Sequence, residues 1–503
     1  MELKNYSKSM DFQSVTVQNY RSIEKEVLNI TKIDGGYTYA LIGINESGKS
    51  NFLKAIALKE GLEKVSYPID FHDTTRPISI SFDYLLNDEG LDLWKANLKI
   101  NNFPEELLVN VNIGHVFLKV SFEPIASMVL KKSIELDMDQ GMINNYTLKG
   151  GVIVKKDESQ VMEGLNLKKY LEDSCVNYFF GLSHQVVFWR SEPKYLIIDP
   201  INLDSFARDP KSVSIPLKNC FELAGISNVS EQITKIKNNP AENKNLTDKL
   251  EDTVTAHIKR IWPGHPINIK FNIEGSLLSF LVADKDVKYK TKTTGQRSDG
   301  FRQFISFLLT VSAQNTNAQL SNSLLLIDEP ETHLHPNGQE NLRDELVRIS
   351  KGDFNNIVIF ATHSNYMIDK DHIERCYRVF KENNEITKIT QLNGPKSSYS
   401  EINYLVFDVP TSDHHNELYG HLQEREERFN EKEFEDYLKT KGIDLKKSYK
   451  KLKGGKSHEY KTTLPTYIRN LIHHPENTEN DKFSDQDLRE SIEILRKIKN
   501  EKN

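Results

Sequence analysis

The stretch GINESGKSN, Gly43 to Asn51, decides how this sequence is read. Apolar residues from Tyr37 to Ile42 precede it, and Phe52, Leu53, Ala55 and Ile56 follow, so the order is strand, glycine loop, helix. The spacing Gly43-x-x-x-x-Gly48-Lys49-Ser50 is that of a phosphate-binding loop. Its two glycines admit backbone angles that turn successive N–H groups toward one anion, and a helix starting near Lys49 adds its positive end. Lys49 is placed to reach the β- and γ-phosphates. The Ser50 hydroxyl is the expected ligand of a magnesium ion that keeps most of its water. Asn45 lies within the loop and Asn51 on its helix.

Outward from the loop, the chain of 503 residues has room for two or three domains and a substantial core. The net charge of −6 excludes whole-chain basicity as the basis of nucleic-acid binding, so any such contact is local. Only Cys175, Cys220 and Cys376 are present, widely spaced and odd in number, which argues against a disulfide framework or a cysteine-based zinc site. The start MELKNYSKSM has no apolar leader, and no stretch approaches the length of a membrane span. The expectation is a cytoplasmic protein with no membrane contact.

Along the chain, alternation predicts strands at Phe12 to Val17, Pro77 to Leu86 and Leu107 to Ile125, together an antiparallel lobe. From about 164 to 262 the pattern turns helical and polar, reading as a helical insertion, and Ile267 to Asp284 returns to strands. From Ser323 the order is strand, helix, strand, helix, strand, strand. After about Gly394 charged helices take over. The predicted division is residues 1–394 and a separate helical domain, 395–503.

Further stretches carry chemistry. LLLIDEPETHLHP, Leu324 to Pro336, reads as a buried strand with Asp328 and Glu329 at its end, where a sheet of this class presents ligands. Asp328 is expected to hold magnesium through water, and Glu329 to orient or deprotonate the water attacking the γ-phosphate. In TTGQRSDGFRQFISFLL, Ser298, Asp299 and Gly300 precede a helix with apolar residues at helical spacing, so Ser298 is read as its N-cap and the helix end as a second anion site. His363, in FATHS, ends the next strand, where an imidazole can hydrogen-bond a phosphate.

These stretches, in this order, resemble the ABC-type ATPase heads shared by SMC and Rad50-like proteins and the OLD-like bacterial ATPases, over roughly Phe12 to Leu392. The resemblance implies an α/β P-loop head of mixed sheet with an antiparallel lobe, binding ATP and Mg2+. It makes Gly43 to Asn51 the Walker A loop, Asp328 and Glu329 the Walker B pair, Ser298 to Gly300 the signature motif, His363 the switch histidine, and Arg21 the arginine near the phosphates. It also implies a homo-oligomer built on head-to-head dimers, each signature motif capping the nucleotide of the other chain. Glu-x-His-Leu-His-Pro after the Walker B pair is typical of OLD-like heads; His333 and His335 are read there as a packed loop at the dimer seam, with a metal site as the alternative. The signature lacks the usual leucine-serine-glycine-glycine run. No coiled-coil arm is present, which argues against an SMC-like bridging role.

The last hundred residues are less specific. The glycine-flanked glutamate and Asp-x-Asp of a Toprim nuclease are not found. Lys439 to Lys461 is read as a solvated lysine-rich loop, with a phosphate-binding surface as the alternative. In YIRNLIHHPEN, Arg469 and His474 resemble the Arg-x4-His motif of HEPN ribonucleases; the stretch is read as an ordinary helix end, with the ribonuclease pair as the alternative. The whole chain resembles the ATPase components of bacterial antiphage systems of the Septu and PARIS kinds. That resemblance implies a sensor or regulator holding a separate effector nuclease, with nucleic acid as a further partner; a self-contained ribonuclease and a DNA-binding repair ATPase are the alternatives.

Overall fold

The computed structural model describes residues 9–501 except 126–128, 139, 140, 157–162, 238, 262–266, 285–290, 297–301, 304, 308, 310–320, 333, 353, 394–397, 454 and 455. By internal contacts the chain falls into two compact units, Met1–Asn393 and Gly394–Asn503. Among the described residues no helix is long and apolar enough to cross a membrane.

The first unit is a mixed α/β structure. It opens with β1 (Met10–Tyr20) and β2 (Ile23–Asn29), an antiparallel pair in the register Thr16↔Val27. Next comes β3 (Thr38–Ile42), buried along its whole length, and then α1 (Lys49–Ala57). Strands β4 (Ile78–Leu86), β5 (His115–Phe122) and β6 (Lys131–Leu136) extend the first pair into an antiparallel sheet of order β2-β1-β4-β5-β6. Their alternation of buried and less buried residues marks one packed face. The strand predicted from Leu107 begins only at His115, because Glu105–Asn110 winds into a 3-10 helix that buries Leu107 and Leu108.

Short strands and then short helices follow, the helices interrupted by β7 (Gln185–Arg190). The stretch read as one helical insertion therefore contains a strand of the central sheet. Val186, Val187, Phe188 and Trp189 are all buried there, an apolar run too short to be separated from a helical segment by periodicity alone. After α2 (Pro240–Ile261), β8 (Ile267–Glu274) and β9 (Leu277–Asp284) form an antiparallel hairpin.

Further along come the strands β10 (Ser323–Asp328), β11 (Ile357–Thr362), β12 (Cys376–Glu382) and β13 (Ile386–Gln391), with α3 (Pro336–Lys351) between β10 and β11. They join β3 and β7 in a second sheet of order β7-β10-β11-β3-β12-β13, parallel except for the β12–β13 pair. Helix α1 packs on β1 of the first sheet and on β7, β10 and β11 of the second. Its Phe52, Leu53 and Ile56 are fully buried, each contributing about 1.5–3 kcal/mol. The carboxyl ends of β3, β7, β10 and β11 thus share one edge, with Gly43, Arg190, Asp328 and His363 at or just past their tips.

The second unit holds α4 (Tyr399–Phe407), α5 (Ser412–Arg425), α6 (Glu431–Thr440), a hairpin of β14 (Lys447–Lys453) and β15 (Lys456–Thr462), then α7 (Leu464–His473) and α8 (Asp485–Asn500). The helices carry a core of Leu418, Leu422, Phe434, Leu438, Ile468, Leu488, Ile492 and Leu495. The segment read as a lysine-rich loop is this hairpin. Tyr449, opposite Tyr460, is buried and packs edge-on against Tyr460 and Tyr467, anchoring strands whose other residues are mostly charged.

Candidate active site

The loop after β3 is shaped by contacts that leave no room for a side chain at its glycines. A Cβ at Gly43 would lie 2.1 Å from the Val379 carbonyl oxygen of β12. At Gly48, φ is +109°, and a Cβ would lie 2.2 Å from Thr387 Oγ1 of β13. Thr387 donates from Oγ1 to the Ser47 carbonyl at 3.0 Å, so β13 fastens the loop from behind. Lys49 is buried, and its Nζ donates to the carbonyls of Gly43 (2.8 Å) and Ile44 (2.9 Å). Burial pulls its pKa down, opposed by the charges of Glu329, Asp328 and Glu331.

The central contact of the site joins the loop to β10. Ser50 Oγ donates to Asp328 Oδ1 at 2.8 Å, across 278 positions of sequence. One hydroxyl and one carboxylate oxygen side by side are the donor set for a hard divalent cation that retains water. Burial raises the Asp328 pKa, and the neighbouring Glu329 raises it further, against the Ser50 hydrogen bond. A cation bound there would offset that cost.

Glu329 follows in a left-handed conformation, φ 50°, uncommon for a residue with a side chain. Its N–H donates to the Ala361 carbonyl at 3.0 Å, and its own carbonyl accepts from Gln303 Nε2 at 3.2 Å and from Thr332 Oγ1 at 2.9 Å. These bonds hold the strained turn and keep the carboxylate at the sheet edge, 37% exposed. His363 Nδ1 is 3.5 Å from Glu329 Oε1 and 3.8 Å from Glu331 Oε1.

Arg21 sits in the turn between β1 and β2. Its Nε pairs with Asp70 Oδ1 at 2.7 Å and its guanidinium donates to Asn51 Oδ1 at 2.9 Å, which places it beside the start of α1. Asn45 is exposed at the tip of the loop. Ser298 and Gly300 lie outside the described residues, as does His333. Residues 302, 303, 305–307 and 309 beyond the signature are helical, and Gln303 is the buried member that reaches Glu329. His335 is the N-cap residue of α3. In the second unit, Arg469 donates to Asn470 Oδ1 at 3.0 Å and His474 pairs with Glu476 at 3.2 Å; among the described residues no hydrogen bond or ion pair joins the two.

Asp70, Gln303, Glu331 and Thr387 were not singled out from the sequence. Glu331 alone had a local signal, as the first residue of the Glu-x-His-Leu-His-Pro run, but no role was read from it. The others act through contacts with residues distant in sequence.

Residues 199–368 match the protein family described as AAA ATPase domain, a span that includes Ser298 to Gly300, Asp328, Glu329 and His363 and leaves out the Gly43 to Asn51 loop. The chain is 23% identical to the Old nuclease of Escherichia phage P2 over 386 residues, 74% of this chain and 59% of the nuclease. It is 26% identical over 137 residues to an uncharacterised protein of Methanocaldococcus jannaschii, 26% of this chain and 35% of that one. The chain thus spans less than two thirds of the length of either relative. Among solved structures, an SMC head bound to the C-winged helix domain of ScpA shares 13% identity, with a TM-score of 0.39 over 76% of this chain and 98% of that one.

Proposed function

We propose that this chain, an ATPase of the SMC/Rad50/OLD-like class, binds ATP with Mg2+ at the edge of its central sheet and hydrolyses it slowly to ADP and phosphate. The observation that carries the reading is the 2.8 Å contact between Ser50 and Asp328. It brings a hydroxyl at the start of the loop helix to a carboxylate at the end of another strand, the pairing that a magnesium-nucleotide site requires. Magnesium supplies neutralisation of phosphate charge there. Lys49 and the backbone N–H groups around Gly48 bind the phosphates, Arg21 and Asn51 flank the start of α1, and Glu329 accepts a proton from the attacking water or orients it. His363 donates toward the γ-phosphate.

The reading extends to assembly and role. Two heads dimerise face to face, the signature residues Ser298 and Gly300 completing the partner's nucleotide site, and the nucleotide state controls an associated effector nuclease in bacterial antiphage defence. Its support is the resemblance of the motif set to such ATPases. The Gly394–Asn503 unit takes the docking role, with amphipathic helices and a lysine-bearing hairpin suited to a protein or nucleic-acid partner.

The test is a pair of substitutions read by nucleotide binding, turnover and solution mass. Lys49→Ala abolishes binding; Glu329→Gln keeps binding, stalls hydrolysis and accumulates an ATP-dependent dimer. Hydrolysis by Glu329→Gln at the parent rate refutes the assignment of Glu329, and a monomer at every ATP and protein concentration refutes the dimer. Co-purification of a nuclease from the native host tests the regulatory role.

A further inference from the structure

Glu331 is the most enclosed carboxylate of the site, its side chain 2% exposed. It lies in the turn after β10, and its side chain runs back to the end of β11. There Oε1 accepts from the Thr362 hydroxyl at 2.5 Å and from the His363 N–H at 3.2 Å. The Thr362 hydroxyl in turn accepts the Ser364 N–H at 3.0 Å, so the carboxylate reaches all three residues of the 362–364 turn, which Ser364 Oγ, donating to Gln339 Oε1, also fastens at its far end. The other Glu331 oxygen, Oε2, is buried with no hydrogen-bond partner among the described residues. An unsatisfied buried oxygen carries a desolvation cost, and packing alone would be served as well by an apolar residue. Burial raises the Glu331 pKa, a further sign that the group is held there against its own preference. The residue thus ties the turn that carries Glu329 to the turn that carries His363.

We propose that Glu331 is a positioning residue for ATP hydrolysis, fixing the 362–364 turn so that the His363 imidazole stands beside Glu329 with its outer nitrogen free for the phosphate. This rests on the ATPase reading above. It assigns to Glu331 no contact with nucleotide or water; its action runs through His363, whose Nδ1 lies between the two carboxylates.

The experiment compares Glu331→Ala, Glu331→Gln and Thr362→Val, each alone and with His363→Ala, by ATPase kcat and KM. Glu331→Ala lowers kcat by about 10- to 100-fold with KM unchanged. Glu331→Gln restores most of the rate, because its amide oxygen can accept the same two hydrogen bonds. In the His363→Ala background, Glu331→Ala costs nothing further. Thr362→Val cuts the same tie from its other end without removing the carboxylate, and lowers kcat with the same dependence on His363; it serves if Glu331→Ala does not fold. A folded Glu331→Ala turning over at the parent rate, or the same fold-loss with and without His363, overturns the proposal. Hydrogen exchange over residues 361–366 without nucleotide reads the tie independently of turnover: exchange rises in Glu331→Ala and stays at the parent level in Glu331→Gln. Unchanged exchange in Glu331→Ala overturns the positioning role, whereas absence of hydrolysis in the parent refutes the ATPase reading and leaves this readout standing.

Discussion

Gly48→Ala tests whether the shape of the nucleotide loop is imposed by the sheet behind it. Gly48 has φ +109°, and an added Cβ meets Thr387 Oγ1 at 2.2 Å, Cγ2 at 2.8 Å and Cβ at 3.1 Å. Thr387 cannot swing aside. It is fully buried, β-branched, and bound through its N–H to the Ser22 carbonyl at 2.8 Å and through its hydroxyl to Ser47. The backbone conformation costs an alanine about 1–3 kcal/mol, and the overlap about 1–3 kcal/mol more, so the loss is about 2–6 kcal/mol. Thr387→Ala removes the two nearest atoms and relieves the second part only. The double variant is therefore more stable than the summed single losses by about 1–3 kcal/mol, while nucleotide binding stays impaired. Urea unfolding followed by tryptophan fluorescence is the assay, since Trp94 and Trp189 are buried in the first unit. A Gly48→Ala protein with the parent midpoint, or strictly additive losses, would refute the steric argument.

Other expectations follow from the same structure. His184 is fully buried, and burial pulls its pKa from 6.5 to about 3, so stability present above the ordinary value is lost as pH falls toward the folded one. Between roughly pH 8 and pH 5 this costs the first unit about 2 kcal/mol, and His184→Gln flattens the slope; an equal slope in both proteins refutes it. Asp328 has a raised pKa, so its ionisation opposes folding: Asp328→Asn raises the melting temperature in chelator at neutral pH, by a margin that shrinks as pH falls into the usual carboxylate range, while magnesium-dependent turnover is lost. Arg469→Ala with His474→Ala leaves ATP hydrolysis and partner binding intact; loss of an intrinsic RNA-cleaving activity in that variant would instead establish a HEPN-type ribonuclease.

What the sequence by itself determined is local. The glycine loop between β3 and α1 is legible because its geometry needs glycine, lysine and serine at fixed short spacings. Four consecutive apolar residues, Leu324 to Ile327, followed by Asp328 announce β10, and Ser484 announces α8, where it forms a capping box with Asp487 above the buried Leu488, Ile492 and Leu495. Only the tertiary structure decided the rest. The place of β7 beside β10, the Arg21–Asp70 pair, the Gln303 contact with Glu329 and the grip of Thr387 on the loop join residues 26 to 340 positions apart. The β14–β15 hairpin was hidden because charged side chains mask its alternation, and Tyr449 shows its role only once Tyr460 and Tyr467 close around it. Glu331 stood in plain view beside the Walker B pair, but its purpose depends on Thr362 and His363, which a separate strand delivers to it. Periodicity and motif spacing record how a segment folds on itself; they carry no record of which distant segment packs against it, and in this protein that packing brings the groups of the candidate site together.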